Sequence, residues 1–147
     1  MPNDTEILPG WKLSYEELSS NIFKVSLTDR YGRIASSTEA GFENTLAIAE
    51  KHAYEIEMSI NKHPNKFLYD YLLSKLEDRI TLKGESNAYG TWGIETDNKQ
   101  LVLEGRDDVL LTKEYQNNKS SWEIVKVLSV KDLDYERIEG LVQFLIS

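Results

Sequence analysis

The sequence predicts an α+β fold in which antiparallel β-meanders, about six to seven strands in all, pack against three to four helices. Several short stretches alternate apolar and polar residues and are bounded by Gly, Asn, Asp and Ser, as half-buried strands joined by tight turns are. Longer stretches repeat apolar residues at intervals of three and four, as amphipathic helices do. The 147 residues suit one domain, or two lobes that meet at Pro64.

The first lobe, residues 1–63, has the predicted order β-β-β-α. Residues 11–18 and, more cleanly, 22–28 alternate apolar and polar side chains and predict two strands, and a third follows at about 33–36. Between the second and third strands, the segment from Asp29 to Gly32 has the composition of a tight turn.

The apolar period then changes to that of a helix over residues 42–62. Ser36 and Glu39 have the spacing of a capping box before it, and Pro64 disfavours helical geometry at His63 and so ends it. The apolar seam of this helix comprises Phe42, Leu46, Ala49, Ala53, Ile56 and Ile60.

The second lobe, residues 64–147, has the predicted order α-β-β-β-β-α. Its first helix begins near Pro64, a good first-turn residue, and Gly84 to Ala88 form a polar loop. Residues 90–96 and 100–105 predict a hairpin that turns at Asp97 and Asn98. The apolar stripe of the first helix comprises Phe67, Leu68, Tyr71, Leu72, Leu76 and Ile80.

Two further strands and a closing helix complete this lobe. The strands are predicted at 108–115 and 121–128, and the second carries apolar residues on both faces, which favours a central position in its sheet. The closing helix is predicted at 134–146, with Asp132 or Asp134 as its cap.

Composition excludes several classes of function. The chain has no cysteine, so it has neither a disulfide framework nor a thiolate metal site. Its start lacks the basic and apolar regions of a secretory signal, and no apolar run approaches the ~18 residues of a membrane span. We therefore expect a cytoplasmic protein that does not bind membranes.

The formal net charge of −8 is shared evenly, because residues 1–64 carry 6 basic and 10 acidic side chains and residues 65–147 carry 11 and 15. Neither half is a basic arm, so we expect no binding to nucleic acid. A uniformly acidic surface instead attracts a basic protein.

Candidate catalytic groups are few. The two histidines, His52 and His63, have no ligand set near them in the sequence, so we expect no metal and no cofactor. Carboxylate pairs occur at 95/97, 107/108 and 132/134, and a carboxylate-dependent enzyme that uses Asp97 or Asp107 is a third, less favoured hypothesis.

The acidic residues of the second lobe are a candidate partner-binding surface, since a negative patch speeds association with a basic partner. Aromatic side chains near loops can anchor such an interface. The candidate residues are Glu104, Asp107, Asp108, Asp132, Asp134 and Glu136, with Tyr89 and Tyr115 as anchors.

Residues 89–146 resemble one family of immunity proteins from bacterial polymorphic-toxin systems. The similar features are the segment 93–98 leading into an alternating strand, the segment 121–127 around Trp122, and a closing helix with Ile138 and Phe144. The resemblance implies a cytoplasmic protein that neutralises a cognate toxin by binding it, and it assigns no functional residue.

Two functions from different classes are therefore in view. The leading one is a non-enzymatic inhibitor whose acidic face covers the basic cleft of a partner such as a toxin nuclease. The alternative is a ligand-binding or regulatory module with a small-molecule pocket between sheet and helices. That pocket would be lined by Tyr54, Tyr69, Tyr71 and Trp92.

Overall fold

The computed structural model describes residues 8–61, 63–86 and 89–147. The chain divides into two compact units, of which the first ends at Pro64 and the second spans Asn65–Ser147. The described residues form two antiparallel sheets of three and five strands, three α-helices and two short 3₁₀ turns, which confirms the α+β prediction. The eight strands exceed the predicted six to seven because a short strand replaces a predicted loop.

The first unit is a three-stranded meander covered by one long helix. Its strands are ordered β1-β2-β3, and the helix α1 packs against β2 and β3. Alternation buries one face of the meander and leaves Ser and Thr on the other. The elements are β1 (Trp11–Ser19), β2 (Ile22–Asp29), β3 (Ile34–Ala40) and α1 (Phe42–Ile60).

The third strand is longer than predicted, and this removes the predicted capping box. Ser36 and Glu39 both lie within β3, where they pair with β2. The N-cap of α1 is Gly41, which makes no side-chain cap bond. The Thr45 hydroxyl instead donates to the carbonyl oxygen of Gly41 at 2.7 Å.

The buried face of α1 is also rotated from the predicted seam. Ala49 and Ala53 are buried as expected, but Ile56 is only half-buried and Ile60 is exposed. Polar side chains take part in the burial because they find partners, which hydrophobic periodicity does not anticipate. The buried residues of α1 are Thr45, Ala49, Glu50, Ala53, Tyr54 and Glu57.

Glu57 shows how such a partner is supplied. Its Oε1 accepts a hydrogen bond from the indole Nε1 of Trp11 at 3.0 Å, and both residues are buried. Its Oε2 accepts from Nδ2 of Asn61 at 3.1 Å. The carboxylate therefore joins the end of α1 to the start of β1.

The second unit is a five-stranded meander with two α-helices. Its strand order is β4-β5-β6-β7-β8, so every strand pairs with its sequence neighbours. 3₁₀ turns follow α2 at 77–79 and precede α3 at 130–132. The elements are α2 (Asn65–Leu76), β4 (Leu82–Ser86), β5 (Thr91–Glu95), β6 (Lys99–Glu104), β7 (Val109–Gln116), β8 (Ser121–Ser129) and α3 (Tyr135–Ile146).

One face of this sheet, which we call the inner face, holds the core of the unit. The helix α3 packs against β6, and α2 packs against α3. The hydroxyl of Tyr71 in α2 donates to Oε1 of Glu139 in α3 at 2.7 Å. The core comprises Phe67, Leu68, Tyr71, Leu72 and Leu76 of α2 with Trp92, Ile94, Leu101, Leu103, Leu110, Ile138, Leu141, Val142 and Leu145. The predicted stripe residue Ile80 instead lies beyond α2 and is only half-buried.

Two predictions for this sheet are wrong. The predicted polar loop 84–88 begins inside β4, which pairs with β5 although its own residues are all exposed; residues 87–88 lie outside the described residues. Strand β8 was expected to be central, but it is an edge strand with six exposed residues. Apolar residues on both faces of β8 therefore do not reflect burial.

No helix in the described part of the chain is long and apolar enough to span a lipid bilayer.

Candidate partner-binding surface

Five of the predicted acidic residues lie at one end of the five-stranded sheet. Glu104 ends β6, and Asp107 and Asp108 form the turn into β7. The chain returns to this end after β8, because the N–H of Val130 donates to the carbonyl oxygen of Asp108 at 2.9 Å. Asp132 and Asp134 follow directly. We call Glu104, Asp107, Asp108, Asp132 and Asp134 the acidic end.

Several of these carboxylates already have structural partners. Asp134 caps α3, accepting from the backbone N–H of Arg137 at 2.9 Å and from its guanidinium at 2.8 Å. Asp108 accepts from Nδ2 of Asn65 at 3.2 Å. Arg137, Arg106 and Lys131 lie among the acids in the sequence, so the acidic end is only moderately negative.

The two predicted aromatic anchors lie at opposite ends of the sheet. Tyr89 is 65% exposed beside the acidic end, and the guanidinium carbon of Arg106 lies 5.4 Å from the centre of its ring. Tyr115 lies at the far end of β7, where its N–H donates to the carbonyl oxygen of Asn98. The structure therefore groups Tyr89, but not Tyr115, with the acids.

The remaining predicted acid, Glu136, is exposed in the first turn of α3. Asp97 and Asp107, the residues of the carboxylate-enzyme hypothesis, occupy turns at opposite ends of β6, so they cannot share one ion. Within residues 8–61, 63–86 and 89–147, no group of three or more His, Asp or Glu side chains could hold a metal ion.

The four aromatic residues of the predicted ligand pocket are all buried. Tyr69 packs against Trp92 with 5.5 Å between ring centres, and the Trp92 indole donates to the Asn65 carbonyl at 3.0 Å. Tyr71 bonds to Glu139, and Tyr54 is buried in α1 of the first unit. These contacts make the four side chains core residues.

The feature that sequence reasoning missed is the outer sheet face, which is the side of the five-stranded sheet opposite its core. One row crosses it from β4 to β8 through directly paired residues: Gly84, Gly93, Val102, Leu111 and Val127. A second row consists of Leu82, Glu95, Gln100, Lys113 and Ile124. All ten are half-buried or exposed.

Apart from Lys113, apolar side chains predominate on the half of this face formed by β7 and β8. Ile124, Val125 and Val127 are 53%, 56% and 59% exposed. Beside them the rings of Tyr115 and Trp122 meet edge to face, with 5.4 Å between their centres. Contiguous apolar surface of this kind marks interaction sites in soluble proteins. We call these five residues the apolar half.

The open backbone edge of β8 is less suited to pairing with another strand. Val125 is an extra residue with no partner in β7, because Thr112 pairs with Lys126 and Lys113 pairs with Ile124. Bulges and inward-facing lysines on edge strands both oppose further strand addition. Lys126 faces the inner side, since its partner Thr112 is buried. The outer sheet face, rather than the backbone edge of β8, is therefore the surface on which a partner could bind.

Grooves adjoin this sheet at its outer face and at the Asp97–Asn98 turn. One of about 250 Å³ crosses the outer face at β4 and β5, with Gly84 and Gly93 in its lining. Another, of about 390 Å³, lies at the Asp97–Asn98 turn and the end of α3 and is lined mainly by polar residues. Thr96 closes the base of that turn by donating to the carbonyl oxygen of Leu145 at 2.6 Å.

Local charges stabilise the elements around these surfaces. Lys66 of α2 lies 3.1 Å from Glu85 of β4 and 3.2 Å from Asp70, and hydrogen bonds to both carboxylates raise the pKa of this lysine. In the first unit, burial raises the pKa of Asp29. Hydrogen bonds from Arg33 and Tyr31 outweigh that effect, so this pKa lies below its ordinary value.

No known protein family, curated protein or solved structure matches this chain.

Proposed function

We propose that this chain is a non-enzymatic binding protein that covers a basic partner protein with the outer sheet face of its second unit. The observation that carries the proposal is the apolar half. It presents Ile124 and Val127, each more than half exposed, next to an aromatic pair, with exposed Val125 at the bulge between them. Isolated exposed apolar residues are ordinary, but a contiguous group on one sheet face is costly to leave in water.

The arrangement has the parts of a protein-binding surface. Aromatic and aliphatic side chains at its centre supply binding energy when a partner excludes water from them. Tyr115 and Trp122 are suitable anchors because their rings are already fixed against each other. The acidic end lies at one end of the same sheet and accelerates the approach of a positively charged partner.

The partner class follows from charge. The whole chain carries −8 and each half is acidic, so long-range attraction favours a basic protein. The resemblance of residues 89–146 to immunity proteins makes the proposal more specific: an inhibitor that blocks a toxin such as a nuclease by covering its basic cleft. An inhibitor of this type needs no catalytic group of its own.

The test compares two β-branched aliphatic positions that are about equally exposed on different sheets. Val127→Glu introduces a charge into the apolar half, and Ile34→Glu is the matched control in β3, where Ile34 is 60% exposed. The first candidate partner is the product of the gene adjacent to the one that encodes this chain. Its toxicity in a bacterial host is measured with and without each variant, and the purified pair is titrated calorimetrically.

We expect wild type and Ile34→Glu to restore growth and to bind the toxin equally well. Val127→Glu should bind on the order of 10–100-fold more weakly. Raising the salt from 50 to 300 mM should slow association. Equal binding by both variants, or an acidic or small-molecule partner, would overturn the proposal.

A further inference from the structure

The groove on the outer sheet face contains two glycines that lie directly opposite each other. Gly84 is in β4 and Gly93 is in β5, and they form a register pair. Glycine weakens a strand interior because it gives up conformational freedom and has no side chain to pack. A directly opposed pair in adjacent strands therefore calls for an explanation.

Neither backbone conformation nor packing explains them. The glycines with positive φ are Gly10, Gly32, Gly41 and Gly90, so Gly84 and Gly93 adopt angles open to any residue. A Cβ added at Gly84 would have no atom within 4 Å. One added at Gly93 would meet its nearest atom, the Leu101 carbonyl oxygen, at 3.8 Å, an ordinary contact. What the two glycines do provide is a bare peptide floor for the groove.

The walls of the groove differ in chemistry. On one side stands Leu82, which is 61% exposed. Its register partner Glu95 supplies a carboxylate, whose Oε1 accepts from Nε2 of Gln100 at 2.7 Å. Lys83 lines the groove with its backbone, because its partner Ile94 is buried on the inner face. In the part of the chain that the structure describes, no cation forms an ion pair with Glu95.

We infer that this groove receives an arginine side chain of the partner protein, an inference that rests on the function proposed above. A planar guanidinium fits between a flat floor and a wall, and it pairs with a carboxylate through two parallel N–H donors. Its methylene stem packs against an apolar side chain such as Leu82. Lysine lacks the planar group, and a neutral side chain leaves the charge of Glu95 uncompensated.

Continuity with the proposed interface supports the same occupant. Gly93 is followed in its row by Val102, Leu111 and Val127, so the groove opens onto the apolar half. A basic protein seated on the apolar half would thus place residues from its rim over the groove. Arginine is among the residues enriched at such interfaces.

The test uses acetyl-arginine amide as the probe, with acetyl-citrulline amide as its neutral isostere. Binding to the full chain is followed by ¹⁵N chemical shifts. We expect the amides of Gly84, Gly93 and Glu95 to shift with arginine and not with citrulline, with a Kd on the order of 1–10 mM. The variants are Gly84→Val, which fills the groove, and Glu95→Gln, which removes its charge; Ser26→Val on the other sheet is the control.

Gly84→Val should keep or raise the Tm and abolish these shifts, because valine favours strands and no atom lies within 4 Å of a Cβ at this position. Glu95→Gln should weaken arginine binding at least fivefold, and Ser26→Val should leave it unchanged. Equal shifts with citrulline, or arginine shifts that persist in Gly84→Val, would overturn the groove assignment. The Val127→Glu comparison would then still stand, so the two failures are distinguishable.

Discussion

The buried hydrogen bonds of Glu57 give a sharp test of how the first unit is held together. Glu57→Gln keeps the shape of the side chain but replaces one oxygen with an NH₂ group. The two oxygens now accept from Trp11 and Asn61 at 3.0 and 3.1 Å, so the new amide must place its NH₂ against one of these donors. A hydrogen bond to a charged group contributes about 1.5–3 kcal/mol. Because the amide also introduces an unpaired donor, we expect Glu57→Gln to lower the free energy of unfolding by about 2–4 kcal/mol.

Native-state hydrogen exchange measures this loss locally. The indole N–H of Trp11 and the amides of β1 report on the first unit without interference from the second. Glu55→Gln, on the exposed side of the same helix, is the control and should change stability by less than about 0.5 kcal/mol. A double-mutant cycle with Trp11→Phe should give a coupling of about 1–2 kcal/mol. If Glu57→Gln exchanges like Glu55→Gln, the buried bonds do not stabilise the unit.

Three further predictions concern single residues. Asp29→Asn should destabilise the first unit by about 1.5–3 kcal/mol at pH 7, because the charged carboxylate accepts hydrogen bonds from the side chain of Arg33 and from the backbone N–H groups of Tyr31 and Arg33. Since these bonds hold the pKa of Asp29 below its ordinary value of 3.8, their contribution is fully present above pH 3.8. Wild type should lose that advantage as the pH falls through the lowered pKa, and urea unfolding at pH 7 and pH 2 measures the difference. Gly105→Ala should cost about 4 kcal/mol or more, because its Cβ would collide with the Tyr89 backbone; an unchanged Tm would contradict this contact. Gly140→Ala should instead stabilise α3 by about 0.5–1 kcal/mol, seen as a higher Tm, because nothing lies within 4 Å of its Cβ.

Local sequence patterns were sufficient to predict most of the helices and strands. The hairpin of β5 and β6 was predictable because Trp92 and Ile94 alternate with polar residues and face Leu101 and Leu103 across a turn. Strand β4 was not, because its five residues lack regular alternation and include a glycine. Its extended conformation comes from pairing with the neighbouring strand β5, a tertiary contact that the pattern of β4 itself does not encode.

The residues of the candidate site also differ in how far the sequence could predict their positions. The acidic end was predictable in part, because Asp107 and Asp108 lie close in sequence to the end of β6. Asp132 and Asp134 return to the same end through a single backbone hydrogen bond from Val130 to Asp108. The sequence did not indicate that Tyr115 lies apart from these acids. Because β7 is eight residues long, Tyr115 lies roughly 23 Å from Asp108 along the strand.

The outer sheet face was the hardest feature to predict. Apolar residues on both faces of β8 are compatible with a central strand and with an edge strand beside an open surface. Only the strand order distinguishes these cases, and that order depends on the whole meander. The available signal was the pair Gly84 and Gly93, because glycines inside strands often mark a place where another group approaches closely.

The proposed function requires the outer sheet face of the second unit to bind a basic protein. Hydrogen–deuterium exchange of the chain, free and saturated with its partner, tests it most directly. We expect new protection in β7 and β8 around Leu111, Ile124 and Val127, with the amides of β1 to β3 unchanged. Protection confined to the first unit, or none in the second, would contradict it.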